Sequence, residues 1–276
     1  MVMPTLKQIS SFVSIAADVP IALRIGIFFL VWLLLWLPIA VPIAIAVQWR
    51  PPQPLATNQK LPLVASLYLL APLVLWGYAR WQAFPFARYG LNGQIGMTVL
   101  LGLGLGAVGL LLLFGLQTGL GWLTWRAENW RRWGAALVPT LILALWIGIT
   151  EELIFRGLLF GQLFQAFDFW TSAIASSLIF SVLHLVWEGR QNVPQLPGLA
   201  LMGVVLCLSV TASGNLGLAW GLHAGWVWVI ASLETAELLQ YTGKVPDWLT
   251  GLDDKPLAGF LGLGFMLATA GLVLQF

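Results

Sequence analysis

Charge is scarce in this sequence. Only 9% of its 276 residues are Asp, Glu, Lys or Arg, and 13 basic against 11 acidic side chains leave a formal net charge of +2. No stretch clusters bases with interleaved polar aromatics, which excludes nucleic acid as a partner. Cysteine is scarcer still. Cys207 stands alone in an apolar run, so an intrachain disulfide and any cysteine-based metal cage are ruled out, and the residue reads as packing. The first twenty residues carry Lys7 and Asp18 but no short apolar core ending at a small-residue cleavage site, so no cleaved signal is read there. Residues 6–15 read either as a short amphipathic helix on the membrane surface or as a tail.

What the chain has in place of charge is apolar surface. Hydrophobic residues make up 59% of it and the mean hydropathy is +0.89, more than a water-soluble fold can hide. A bilayer core takes about 20 apolar residues per helix. Runs of that kind lie near residues 22–47, 61–79, 95–121, 135–164, 169–187, 197–212, 215–233 and 257–275. The fold class that follows is all-α: a polytopic membrane helical bundle of about eight transmembrane helices, one domain over residues 1–276. Its place is a cell or organelle membrane, and its partners are the bilayer and membrane-embedded or membrane-adjacent molecules. Pro38 and Pro42 should kink the first run, which neighbouring helices can tolerate.

Two patterns are better explained by packing than by ligands. Gly104-Leu105-Gly106-Ala107-Val108-Gly109 matches a dinucleotide fingerprint but follows no strand and lies inside an apolar helix. Gly102 and Gly106, Gly115 and Gly119, and Gly217, Gly221 and Gly225 instead read as small faces on which helices pack closely. Between the third and fourth runs Trp122, Trp125, Trp130 and Trp133 mix with Arg126, Glu128, Arg131 and Arg132, a composition suited to an anchor at headgroup level.

Three polar groups interrupt the apolar runs, where a charge costs about 3 kcal/mol on insertion scales and function is the default explanation. They are Thr150-Glu151-Glu152-Leu153-Ile154-Phe155-Arg156, Phe180-Ser181-Val182-Leu183-His184 and Leu222-His223-Ala224-Gly225-Trp226, and together they contain both histidines of the chain. Helical spacing puts Glu152 and Arg156 at i and i+4, a pair that neutralises itself, and turns Glu151 about 100° away. Glu151 is therefore the candidate general base and Glu152 with Arg156 the structural pair. Peptide hydrolysis needs an activated water, oxyanion stabilisation and a proton for the leaving amine. Glu151 with His184 would polarise the water and His223 would donate to the oxyanion, if the two histidine helices face the end of the fourth run. Taken singly, each group has a plainer explanation: a Glu-Arg pair that only packs helices, and histidines that are hydrogen-bonded helix contacts.

Glu-Glu-x-x-x-Arg at 151–156, Phe-x-x-x-His at 180–184 and a later histidine at 223 resemble the three motifs of the CAAX protease and bacteriocin-processing (CPBP) family of intramembrane glutamic endopeptidases. The resemblance spans roughly residues 145–235, within a family-like core drawn at 135–235. It implies that Glu151 and His184 activate water, that His223 belongs to the oxyanion site, and that Glu152, Arg156 and Phe180 support them. The third family motif usually reads His-x-x-x-Asn, with Asn as a second oxyanion donor. Here that position is Val227, which cannot donate, so Trp226, Asn215 or another donor replaces it, or the protein is slow or inactive.

The resemblance implies a prenyl-protease-like peptidase without a cofactor, acting on a membrane-embedded or lipidated protein or peptide. Glu151, His184 and His223 would also suit zinc with water in the fourth position, a reading that the resemblance and the absence of a His-Glu-x-x-His pair disfavour. A catalytically silent scaffold or immunity-type binding protein is the competing class, with Val227 as its support. A proton-coupled transporter is a third, without the paired halves such proteins usually show.

Overall fold

The computed structural model describes residues 19–50, 55–82 and 85–276; the segment 6–15 lies outside them. Eight helices carry the architecture: α1 (Ile21–Ala46), α2 (Thr57–Trp81), α3 (Ile95–Gly119), α4 (Trp130–Glu152), α5 (Phe169–Glu188), α6 (Leu196–Ser213), α7 (Gly217–Thr235) and α8 (Phe260–Val273). They fall on the eight apolar runs. Six of the helical stretches, 21–46, 58–81, 95–119, 127–163, 169–187 and 190–213, are long and apolar enough to cross a membrane. The chain is an all-α, multi-pass membrane bundle. Among the described residues the only paired strands form a short ribbon, β1 (Leu123–Trp125) against β2 (Leu239–Tyr241), antiparallel with Leu123 opposite Tyr241.

Helix α7 stands at the centre, packed on α3, α4 and α6. Without a hydrophobic drive between helices in lipid, close backbone approach and interhelical hydrogen bonds must hold it. Along α3 the approach is made by glycine. A Cβ on Gly106 would lie 2.7 Å from the Leu222 carbonyl oxygen, and one on Gly225 would lie 2.7 Å from that of Leu103. Gly102 and Gly221 face each other in the same seam. Gly115 and Gly119, which the sequence places in a second such face, have no neighbour within 4 Å of a built Cβ. They are exposed on the opposite side of α3 from Gly102 and Gly106, so their small size serves no contact. Along α4 the approach is made by indoles: Trp220 Nε1 donates to the Leu145 carbonyl and Trp228 Nε1 to the Leu137 carbonyl, each at 2.9 Å.

Both ends of the α3–α7 pair are tied. At one end Thr98 Oγ1 and the Gly217 backbone N–H both donate to Asn215 Oδ1 at 2.8 Å, and Leu216 N–H donates to the Gly90 carbonyl at 2.9 Å. At the other end the ribbon links the exit of α3 to the segment after α7, extended by Arg126 N–H to the Leu238 carbonyl at 2.8 Å. Beside the ribbon Trp125 stacks on Trp130 at 5.9 Å, and Trp130 meets Trp133 edge-on at 5.3 Å.

Helices α1 and α2 form a hairpin on the flank. Of α1 only Phe28, Trp32 and Ala40 are buried, so most of its apolar surface faces outward, as in a helix solvated by lipid. Trp32 Nε1 reaches the Leu67 carbonyl at 3.2 Å and Trp36 Nε1 reaches Ser66 Oγ at 3.0 Å. Helix α5 is capped by Asp168, which accepts from the backbone N–H groups of Trp170 (2.9 Å) and Thr171 (3.1 Å). The Thr171 hydroxyl and these N–H groups hold the Asp168 carboxyl below its usual range. Cys207 is fully buried against Phe160 and Ala173, a packing role.

Candidate active site

Helix α4 does not end at Glu152. It widens into π-helical turns over Leu153–Phe160, a distortion that often accompanies functional residues, and the two glutamates stand where the widening begins. Glu152 is fully buried and Arg156 is 2% exposed. Arg156 Nη1 donates to Glu152 Oε1 at 2.9 Å, so the i, i+4 relation survives the distortion. The guanidinium also lies over the Phe180 ring, 4.5 Å from its centroid, which adds a cation–π contact in a place without water screening.

Helix α7 brings His223 to both carboxylates. Its Nδ1 donates to Glu152 Oε1 at 2.7 Å, and its Nε2 stands 3.6 Å from Glu151 Oε2. A carboxylate oxygen only accepts, so Glu152 fixes the tautomer with a proton on Nδ1.

Glu151 is not left free, as helical spacing alone would have it. The Tyr68 hydroxyl of α2 donates to its Oε1, while Oε2 faces His223 and has no hydrogen-bond partner. Sequence reasoning missed Tyr68 entirely. It lies 83 residues from Glu151, and its one available sign was a phenol in an apolar run, a group that needs a partner once buried in lipid.

Helix α5 supplies Phe180 and His184. Phe180 sits behind the site, edge-on to Phe155 (5.0 Å), to His184 (4.6 Å) and to His223 (6.1 Å). His184 Nδ1 donates to the Phe180 carbonyl at 2.9 Å, so Nε2 is the ring's open nitrogen. His184 and His223 line one cavity of about 110 Å³, with Trp226 and Val227 in the same wall. The Trp226 indole N–H is buried and unpartnered, whereas Asn215 is committed to Thr98 and Gly217 at the far end of α7. Among the described residues no three His, Cys, Asp or Glu side chains form a metal-holding group.

A larger cavity of about 430 Å³ shares Ile230 and Pro256 with the first and runs toward the ribbon. Its wall mixes Arg126 and Lys255 with Glu234, Glu237, Asp253 and Asp254. Tyr241, also in that wall, has its phenol pushed up to about 12 by burial. The buried catalytic candidates thus adjoin a polar space at one end of the bundle.

Residues 132–229 match the family model described as type II CAAX prenyl endopeptidase Rce1-like. The match covers the middle of the chain, from α4 to α7. This agrees with the resemblance carried by the three motifs. No curated protein and no solved structure matches the chain. The Rce1-like stretch begins in the first turn of α4, ends in α7, and contains Glu151, Glu152, Arg156, Phe180, His184, His223, Trp226 and Val227. Tyr68 lies outside it.

Proposed function

We propose that the chain is an intramembrane endopeptidase in which Glu151 activates water against a peptide bond of a membrane-embedded or lipidated substrate. The observation that carries this reading is the convergence of Glu151, Glu152 and His223 from two helices, next to a cavity that His184 also lines. The single domain of residues 1–276 would then serve one site.

In the proposed cycle a water in the cavity gives its proton to Glu151 as its oxygen attacks the carbonyl carbon, with the open Nε2 of His184 orienting it. The oxyanion receives hydrogen bonds from the protonated imidazole of His223 and from the Trp226 N–H, the donor nearest to the position where Val227 offers none. The proton then passes to the leaving amine, the C–N bond breaks, and the acid and amine depart with the elements of one water added. Glu152, itself paired with Arg156, holds the His223 ring in its orientation through Nδ1. The cycle is written without a metal, and Glu152 Oε1 is already taken by a guanidinium and an imidazole.

The test uses the full chain in proteoliposomes with a farnesylated CaaX peptide and an unprenylated membrane peptide as probes. Glu151→Gln and His184→Ala should each lower turnover by about 10²–10⁴-fold with the fold kept, and chelators should have no effect. Loss of activity on chelation, restored by zinc, would replace this mechanism with a metallopeptidase one. A silent scaffold is the second reading, and Val227 favours it. It predicts that a peptide binds and is not cut, and that both variants leave the cell's peptide profile unchanged.

A further inference from the structure

We infer that Tyr68 is a positioning residue for Glu151, and that the α1–α2 hairpin, outside the Rce1-like stretch, completes the active site. The inference rests on the reading of Glu151 as the base.

Tyr68 is 9% exposed and its hydroxyl donates to Glu151 Oε1. A phenol has one proton to give, so this bond assigns the two carboxylate oxygens different work. Oε1 is anchored, and Oε2 is the oxygen left facing His223. The ring makes a second contact to the same helix, edge-on to Trp146 at 6.3 Å. Tyr68 thus touches α4 on both sides of the turn that ends in the glutamates. Without it, a carboxylate at the mouth of a π-helical turn would keep its torsional freedom, and a displacement of about 1 Å at a reacting group can cost about 100-fold in rate.

The hairpin is built to hold that tyrosine still. The two α1 indoles that reach α2 end on Ser66 and Leu67, the residues just before Tyr68. Trp36 also meets Trp187 edge-on at 5.8 Å, three residues beyond His184 on α5. The same pair of helices therefore bears on α4 beside the base and on α5 beside the histidine that orients water. Stabilising an isolated hairpin would not require contact at these two places.

The experiment compares Tyr68→Phe with wild type, full chain, in phosphatidylcholine vesicles. Phenylalanine keeps the ring contact with Trp146 and removes only the hydroxyl. On the farnesylated CaaX probe, kcat should fall about 10- to 100-fold with KM nearly unchanged, the loss of one hydrogen bond to a charged group. The second readout needs no turnover. Dicyclohexylcarbodiimide reacts only with a carboxyl oxygen it can reach, and the Tyr68 hydroxyl covers Oε1, so Glu151 should be labelled about tenfold faster in Tyr68→Phe, measured by mass spectrometry. Wild-type kcat together with wild-type labelling would overturn the inference. If wild type and Glu151→Gln both fail to cleave, the peptidase reading falls, and labelling still decides whether Tyr68 governs Glu151. Should Tyr68→Phe unfold, Trp36→Phe must show the labelling change in weaker form, and unaltered labelling there would equally count against the hairpin's role.

Discussion

The α3–α7 seam and the α1–α2 hairpin both position a residue of the candidate site, and they do so by opposite means. In the seam, backbone meets backbone across Gly102, Gly106, Gly221 and Gly225, with no side chain between to yield. His223 stands midway between the last two of these, so its place is set by contact that has no slack. In the hairpin, large side chains span the gaps: Trp32 and Trp36 hold α2, and Tyr68 reaches Glu151. Each such hydrogen bond is worth about 1 kcal/mol and can be lost singly. The histidine is fixed by exclusion and the base by adjustable reach.

Three substitutions probe that contrast, from the largest effect to the smallest. Gly221→Val would drive a Cβ to 2.6 Å from Leu103 N, within a seam that cannot open on one side only. It should cost about 3 kcal/mol or more, seen as a lost or strongly lowered thermal transition in detergent. A variant as stable as wild type would mean that the glycines do not hold the pair together. Trp36→Phe keeps an aromatic ring, smaller than the indole, and loses the bond to Ser66. About 1 kcal/mol of stability should go, with a smaller fall in turnover than Tyr68→Phe gives; equal falls would make the hairpin as unyielding as the seam. Gly115→Ala, on the same helix as the seam but with open space around it, should be neutral or stabilise by up to about 1 kcal/mol. Destabilisation there would mean that a second face of α3 is packed as well.

The helices were legible in the sequence because lipid imposes a length and a composition that few other environments do. The Glu152–Arg156 pair was legible too, since i and i+4 share a face even where the helix widens. Tyr68 was not, because helical spacing relates neighbours on one helix and says nothing of a partner 83 residues away. The same limit hid the way His223 stands between both glutamates, a fact of how α7 meets α4. Glycine spacing marked Gly102 and Gly106 and equally Gly115 and Gly119, although only the first pair has a helix opposite. A motif can state that a surface is able to pack; the side on which the neighbour lies decides whether it does. Val227 was read as a missing donor with Trp226 or Asn215 as replacements; choosing between them needed the helices in place, since Trp226 has its indole N–H open in the cavity wall while Asn215 is bound to Thr98 and Gly217.

The glycine seam has one further property. Its small residues recur every four positions on α7, at 217, 221 and 225, and at 102 and 106 on α3. Sliding one helix past the other by four residues, about 6 Å, would set glycine against glycine again. The seam therefore behaves as a smooth rail that fixes lateral distance and leaves height undetermined. Height is set by the stops at its two ends, Asn215 with Thr98 and Gly217 at one, the β1–β2 ribbon at the other. These fastenings touch neither Glu151 nor Glu152, yet they decide the depth in the membrane at which His223 meets the glutamates.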